Sequence, residues 1–263
     1  MDLGLKNKVA LVAAASRGLG RAVAEELAAE GASLIICSRR TETIERVANE
    51  IKAATGVEVF GIAADVSNSS DVARLVNSAL DRFGRVDILV TNAGGPPAGQ
   101  FESFTLQQWE EATRLLLHSA VELARYVLPG MKERGWGRIL NVTSIAVKQP
   151  VDNLILSNSL RAAVTGFART LANEVAGSGV TVNNIMPGYT RTERVEELAR
   201  MMAEKQGITP DEFIARWEKE IPMRRIGQPR EFAALAAFLV SERASYITGV
   251  SIPVDGGWIK GLL

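Results

Sequence analysis

Short apolar runs alternate with longer amphipathic stretches along this chain at a spacing that few architectures accept. Val9-Ala10-Leu11-Val12-Ala13 is apolar throughout, as a strand buried on both faces is, and a turn of small residues leads from it into a helical stretch at 18–30. The pattern repeats: strands at 33–38, 57–62 and 87–91 alternate with helices at 41–55 and 71–83. A long helical span at 106–134, a strand at 138–142, a helix at 154–176 and a strand at 181–186 follow. Strands separated by helices of this length form βαβ units, so the predicted fold class is α/β, a doubly wound parallel sheet, Rossmann-like, with helices on both faces. Right-handed crossovers place the ligand crevice at the carboxyl ends of the strands. With 263 residues, 47% of them hydrophobic, the chain is expected to form one such domain over 1–263.

Two stretches interrupt the alternation. Gly94-Gly95-Pro96-Pro97-Ala98-Gly99 cannot continue a helix or a central strand, so it reads as a loop beyond a strand's carboxyl end, on the site side of the sheet. Residues 190–221 are charged and amphipathic, with Val195, Leu198, Met201 and Met202 placed on one face and Thr209-Pro210-Asp211-Glu212 as a helix-start signal before Phe213, Ile214 and Trp217. This stretch reads as a helical lid. Packing on the body and contact with substrate are both open readings of its Met and aromatic residues.

Thirty basic residues balance thirty acidic ones, which gives no reason to expect nucleic acid or an anionic membrane as a partner. Cys37 is the only cysteine, so an intrachain disulfide and a multi-cysteine zinc site are excluded, and no His, Cys or carboxylate spacing suggests another metal site. The first eight residues lack a signal-peptide apolar region, and no run approaches the ~20 apolar residues of a membrane helix. A cytoplasmic protein with a small-molecule partner is the expectation.

The turn after the first strand, Ala13-Ala14-Ala15-Ser16-Arg17-Gly18-Leu19-Gly20, has the small residues that let a backbone approach a pyrophosphate, and it opens a helix whose first amides face the charge. Ser16, Arg17, Gly18, Leu19 and Gly20 are therefore candidate cofactor residues. The turn resembles the TGxxxGxG motif of the short-chain dehydrogenase/reductase family, with Ala13 for the Thr and Ala14 for the first Gly. An alanine at position 14 penalises positive φ, so a slightly altered turn and weakened binding are expected. Further motifs resemble that family in order along the chain. Asp65-Val66 resembles the pair at the adenine ring, Asn92-Ala93-Gly94 the NAG turn, Pro187-Gly188 the PG turn beside the nicotinamide, and Val254-Asp255-Gly256-Gly257 the C-terminal signature. The second predicted strand ends on Ser38 rather than on an acid, and Arg39 and Arg40 follow. An arginine fork suits a ribose phosphate, so NADP(H) is favoured over NAD(H); a solvated helix start is the other reading of those arginines.

In the family that this chain resembles, an Asn, a Ser, a Tyr and a Lys share the chemistry. The Tyr protonates the substrate oxygen as hydride arrives, the Ser orients that oxygen, the Lys holds the nicotinamide ribose and lowers the Tyr pKa, and the Asn completes a water relay. The resemblance puts Ser144 at the Ser, Ser157 at the Tyr, Arg161 at the Lys and Leu116 at the Asn. Ser144, Ser157 and Arg161 are the catalytic candidates, and Arg161 is also a candidate for the ribose. A serine hydroxyl is a far weaker acid than a phenol of pKa ~10, so the family's proton transfer does not carry over, while electrostatic stabilisation does. Tyr189 and Lys148 are secondary candidates for a proton donor, with pocket lining or solvent exposure as the plainer readings. His118, the only histidine, reads as a packed or interface residue.

The leading expectation is an NADP(H)-dependent oxidoreductase acting on a small carbonyl or alcohol substrate, most like the family's 3-oxoacyl-carrier-protein reductases, with an atypical site. A nucleotide-binding regulatory or scaffold homologue and a non-redox lyase or hydrolase remain alternatives. The resemblance also implies a homo-oligomer, a tetramer or a dimer, through the helices at 106–134 and 154–176, with residues 258–263 meeting a partner chain.

Overall fold

The computed structural model describes residues 2–262, so the last residue of the partner-facing segment expected at 258–263 lies outside it. Seven strands form one parallel sheet: β1 (Val9–Val12), β2 (Ser33–Ser38), β3 (Val59–Ala63), β4 (Ile88–Thr91), β5 (Gly137–Val142), β6 (Val180–Pro187) and β7 (Ser251–Val254). Their order across the sheet is β3-β2-β1-β4-β5-β6-β7. The order reverses between β1 and β4, and in a sheet wound this way the crevice opens there, above the carboxyl ends of the strands.

Nine α-helices accompany them among the described residues: α1 (Gly18–Ala29), α2 (Thr41–Thr55), α3 (Ser69–Phe83), α4 (Leu106–Thr113), α5 (Ser119–Glu133), α6 (Ile155–Val175), α7 (Glu193–Gln206), α8 (Pro210–Glu220) and α9 (Pro229–Leu239). Residues alternate across β1: Ala10 and Val12 join the core under α1, α2 and α9, whereas Val9 and Leu11 join the core under α3, α5 and α6. That two-sided burial is why the strands are apolar at consecutive positions.

Three details differ from the reading of the sequence. The third strand runs Val59–Ala63 rather than 57–62. α9 and β7 lie where the sequence pattern predicts no element, and β7 forms the edge of the sheet, where Pro253 is tolerated because no further strand among the described residues needs its missing N–H. The long span at 106–134 is not one α-helix but α4 and α5 joined by a π-helical turn at Arg114–His118. Ser119 caps the loosened backbone there, its hydroxyl donating to the Leu115 carbonyl at 2.6 Å.

The lid is a helical pair. Thr209 caps α8 in a reciprocal bond with Glu212, and Pro210 occupies its first turn. Phe213, Ile214 and Trp217 are buried with Ile145, Met186 and Trp258, and Val195, Leu198 and Met202 pack against them. Most of the lid's apolar residues therefore join it to the body. Met201, expected on the same face, is 58% exposed instead; Val195, Leu198 and Met202 form the i, i+3, i+7 stripe that faces inward, and Met201 falls outside it. Trp258 is likewise buried within its own chain, edge-on to Tyr189.

Candidate active site

The first part of the site is the turn between β1 and α1. Its backbone is pinned on both sides, with the Ala13 N–H donating to Val90 O at 3.1 Å and the Ala15 N–H to Cys37 O at 2.9 Å. Cys37 itself is buried, which pushes its thiol up to about 11 and leaves it an inert packing group. Ala14 adopts φ +50°, so the left-handed conformation is kept with alanine in place of glycine and the strain is borne locally. Gly18 stands at φ +58°, and a Cβ on Gly20 would collide with the Ala14 carbonyl and lie 2.7 Å from Asn92 Nδ2. Asn92, just beyond β4, reaches back to donate to the Ala13 and Ala14 carbonyls, both at 3.4 Å, and so joins the two strand ends that flank the crevice. No side chain caps the amides of the first turn of α1, and no acid lies in that turn. A Cβ on Gly94 would meet nothing within 4 Å, so the loop after Asn92 and Ala93 opens onto free space. Uncapped helix amides, a close-packed glycine and an open cleft fit a dinucleotide phosphate.

The remaining cofactor candidates border the same crevice. Ser38 ends β2 with its hydroxyl donating to Arg40 O at 3.4 Å; Arg39 and Arg40 are exposed, and neither has a carboxylate within 4.0 Å among the described residues. Arg17 pairs at 3.4 Å with Glu197 of α7. Asp65 receives the Ser67 N–H and hydroxyl at 2.9 and 2.7 Å, which fixes the turn beside Val66. Pro187 ends β6, and the Gly188 N–H donates to Val254 O at 3.0 Å.

The catalytic candidates gather where β5 ends and α6 begins. Ser144 precedes a short 3-10 turn, and its oxygen accepts the Ala146 N–H at 3.1 Å. Ser157 and Arg161 lie one turn apart on α6, and Arg161 Nε donates to Ser157 Oγ at 3.2 Å. Arg161 Nη1 donates to the carbonyls of Val142 and Thr143 at 2.9 and 3.0 Å, which folds the side chain back onto the end of β5. Desolvation, and then the like charge of Arg194, lowers the guanidinium to about 10, so it is still a cation at neutral pH. Both hydroxyl oxygens thus accept a hydrogen bond while their protons are free to be donated, and Arg161 presents its Nη2 edge.

The wall behind these groups is apolar. Leu116, at the position the resemblance gives to the Asn, is buried with Ala112 and with Leu156 and Leu160, the neighbours of Ser157 and Arg161 on α6. Between Leu116, Ser119, Asn92 and Arg161 there is a void of about 10 Å³, at the lower limit of what one water needs. Tyr189 stacks on Trp217 at 4.8 Å, and burial, reinforced by Glu220, pushes its phenol up to about 12. Its ring thus lines the crevice, and its raised pKa makes it a weaker acid than a free phenol. Lys148 is exposed. His118 is exposed too, contrary to a packed role, and lines a cavity beside Asp65 with Arg114 and Glu122.

The sequence reading missed two features. A row of polar side chains crosses the sheet just below the site: Thr91 donates to Asn141 at 2.7 Å, Asn141 to Asn184 at 3.2 Å and Asn184 to Ser251 at 3.0 Å. These four are register partners on β4 to β7, and their only signal in the sequence is Asn inside otherwise apolar strands. The second is Arg194 on α7, which crosses the crevice to the carbonyls of Gly95 and Pro96 at 3.3 and 3.4 Å.

A doubly wound parallel sheet with a glycine turn at its switch point is the form of a dinucleotide-binding protein. Residues 13–259 match the family model described as enoyl-(acyl carrier protein) reductase. The chain is 36% identical over 255 residues to the 3-oxoacyl-[acyl-carrier-protein] reductase FabG of Vibrio cholerae, covering 97% of this chain and 98% of that protein. It is 34% identical over 255 residues to a D-beta-hydroxybutyrate dehydrogenase of Rhizobium meliloti, covering 95% and 98%. The L-sorbose reductase of Gluconobacter frateurii, solved in complex with NADPH and L-sorbose, superposes with a TM-score of 0.96 at 35% identity over the whole of both chains. The chain belongs to the short-chain dehydrogenase/reductase family of oxidoreductases. Among the described residues no helix is long and apolar enough to cross a membrane, and no group of three or more His, Cys, Asp or Glu could hold a metal ion.

Proposed function

We propose that this protein, as one domain over 1–263, is an NADP(H)-dependent reductase of a small carbonyl compound that uses two serine hydroxyls and an arginine where its family uses a tyrosine and a lysine. The observation that carries this reading is the bond from Arg161 Nε to Ser157 Oγ. A hydroxyl that accepts from a cation is a stronger donor, so Ser157 is polarised toward an oxygen placed before it. Ser144, engaged in the same sense by the Ala146 N–H, provides the second donor.

The chemistry that bound NADPH supplies is hydride donation to the carbonyl carbon. The chain's own part is to stabilise the charge that builds on the carbonyl oxygen: the Ser144 and Ser157 hydroxyls donate to it and the Arg161 cation lowers its energy. The hydroxyls hold the alkoxide by hydrogen bonds, and water at the crevice mouth supplies its proton and leaves hydroxide to the solvent. The turn amides with Ser16, Arg17, Gly18, Leu19 and Gly20 hold the pyrophosphate, Asp65 and Val66 border the adenine, and Asn92, Ala93, Gly94, Pro187 and Gly188 border the nicotinamide, with Arg161 toward its ribose. Ser38 in place of an acid, followed by the unpaired Arg39, favours NADPH over NADH. Self-association, as dimer or tetramer, would use the long helices, where Leu106 and Tyr126 are exposed.

Fluorescence titration with NADPH and NADH, followed by addition of a 3-oxoacyl thioester and other ketones, tests the reading. Tighter binding of NADPH and its oxidation by a carbonyl compound are expected. Tight binding with no oxidation across that panel would move the protein to a regulatory role, and product formed without any redox change would point to a lyase or hydrolase.

A further inference from the structure

Two guanidinium groups face the catalytic end of the crevice, and neither has a carboxylate within 4.0 Å among the described residues. Arg161 reaches from α6 to the end of β5, and Arg194 reaches from α7 to the loop after β4, the neighbouring strand. Two neighbouring arginines are paired, Arg17 with Glu197 at 3.4 Å and Arg191 with Glu218 at 3.8 Å. Arg194 instead makes two long bonds to backbone carbonyls, which leaves most of its five N–H groups uncommitted. Arg161 keeps its Nη2 edge. The two are close enough for the charge on Arg194 to lower the Arg161 pKa, and desolvation lowers that of Arg194. Arg194 is exposed and Glu197 partly offsets its charge, yet an anion bridging the two guanidinium groups would relieve the repulsion between them.

We propose that Arg194 and Arg161 form a two-guanidinium cradle that selects a substrate carrying a carboxylate close to the reacting carbonyl, a 2-oxo or 3-oxo acid, over neutral ketones. This rests on the reductase reading above and names its substrate class. The planar fork of arginine matches a carboxylate in a way that the uncharged part of a thioester or a sugar does not. The cofactor pyrophosphate is the other source of an oxyanion. The glycine turn that suits it meets the start of α7 at Thr192 and Glu193, beside Gly18, while Arg194 extends to Gly95 and Pro96.

The test is calorimetric binding of acetoacetate and of methyl acetoacetate, and of 2-oxobutyrate and its methyl ester, to the cofactor-free protein and to the protein loaded with NADP+, a state that cannot reduce a ketone. At least one acid is expected to bind about tenfold or more tightly than its ester, the equivalent of about 1.4 kcal/mol. Arg194→Gln should erase that preference, Arg194→Lys should restore part of it, and NADPH affinity should stay within about twofold in both. Acids that bind no better than their esters in the unsubstituted protein, including no binding of either, would overturn the proposal. A loss of NADPH affinity in Arg194→Gln as large as the loss of acid binding would overturn it too, by assigning the guanidinium to the pyrophosphate. A clear acid preference with no NADPH oxidation would leave the cradle standing and sink the reductase reading alone.

Discussion

The nucleotide turn and the catalytic end of the crevice lie across β1, β4 and β5 from each other, yet they treat their departures from the family pattern differently. At the turn, where Ala13 also stands for the Thr, the departure that strains the backbone is one methyl group: Ala14 takes the φ of +50° that glycine would take, and Gly20, Asn92 and the α1 amides keep their arrangement around it. At the catalytic end three groups change together. Ser157 and Arg161 bond to each other, and Leu116 packs with Leu156 and Leu160, the residues beside them. Leu116 offers no hydrogen bond to these groups, and the guanidinium splits its bonds between Nε, to Ser157, and Nη1, to the two carbonyls, whereas a lysine would carry all its donors on one atom. On the function proposed above, the turn bears a substitution as strain, whereas the catalytic end changes as a unit.

That contrast can be broken experimentally, and the largest effect is expected at the rebuilt end. Arg161→Met removes the cation and leaves Ser157 unpolarised; turnover should fall about 100-fold or more, as losing a principal oxyanion stabiliser does, with a smaller change in NADPH affinity. Steady-state rates beside a cofactor titration read both. Gly20→Ala presses a methyl group against the Ala14 carbonyl and should weaken NADPH about tenfold or more, with circular dichroism confirming the fold. Arg39→Ala removes the fork offered to the ribose phosphate. NADPH affinity should drop about tenfold while that for NADH is unchanged, and equal losses for the two would assign Arg39 to the solvated helix start. The smallest change is Ala14→Gly, which relieves the positive φ and should add about 1 kcal/mol of stability, a melting rise of about 2–4 °C, without altering turnover.

The sheet, its order of elements and the glycine turn were legible because buried parallel strands are apolar at consecutive positions and the turn is local. Ser144, Ser157 and Arg161 were placed by the family resemblance rather than by any local pattern of their own. What joins them was not legible, because the bonds from Arg161 to Val142 and Thr143 span 19 and 18 residues and depend on how α6 lies on β5. The Thr91, Asn141, Asn184 and Ser251 row needs the strand registers, which no single strand carries. Short edge strand β7, with Pro253 inside it, gives almost no strand signal. Arg194 was one charge among many on an amphipathic helix, and only its reach across 99 residues to Gly95 sets it apart.

The central claim is that a cation and two hydroxyls have replaced a titrating phenol, and the pH profile of NADPH oxidation tests it most directly. Arg161 is charged below its lowered pKa of about 10 and loses that charge as pH rises through it. The account therefore predicts a rate nearly level from about pH 6 to about pH 9 that declines above, with no limb from a group of intermediate pKa. A rate that follows one titration between about pH 6 and about pH 8 would assign the proton to another acid and contradict the claim.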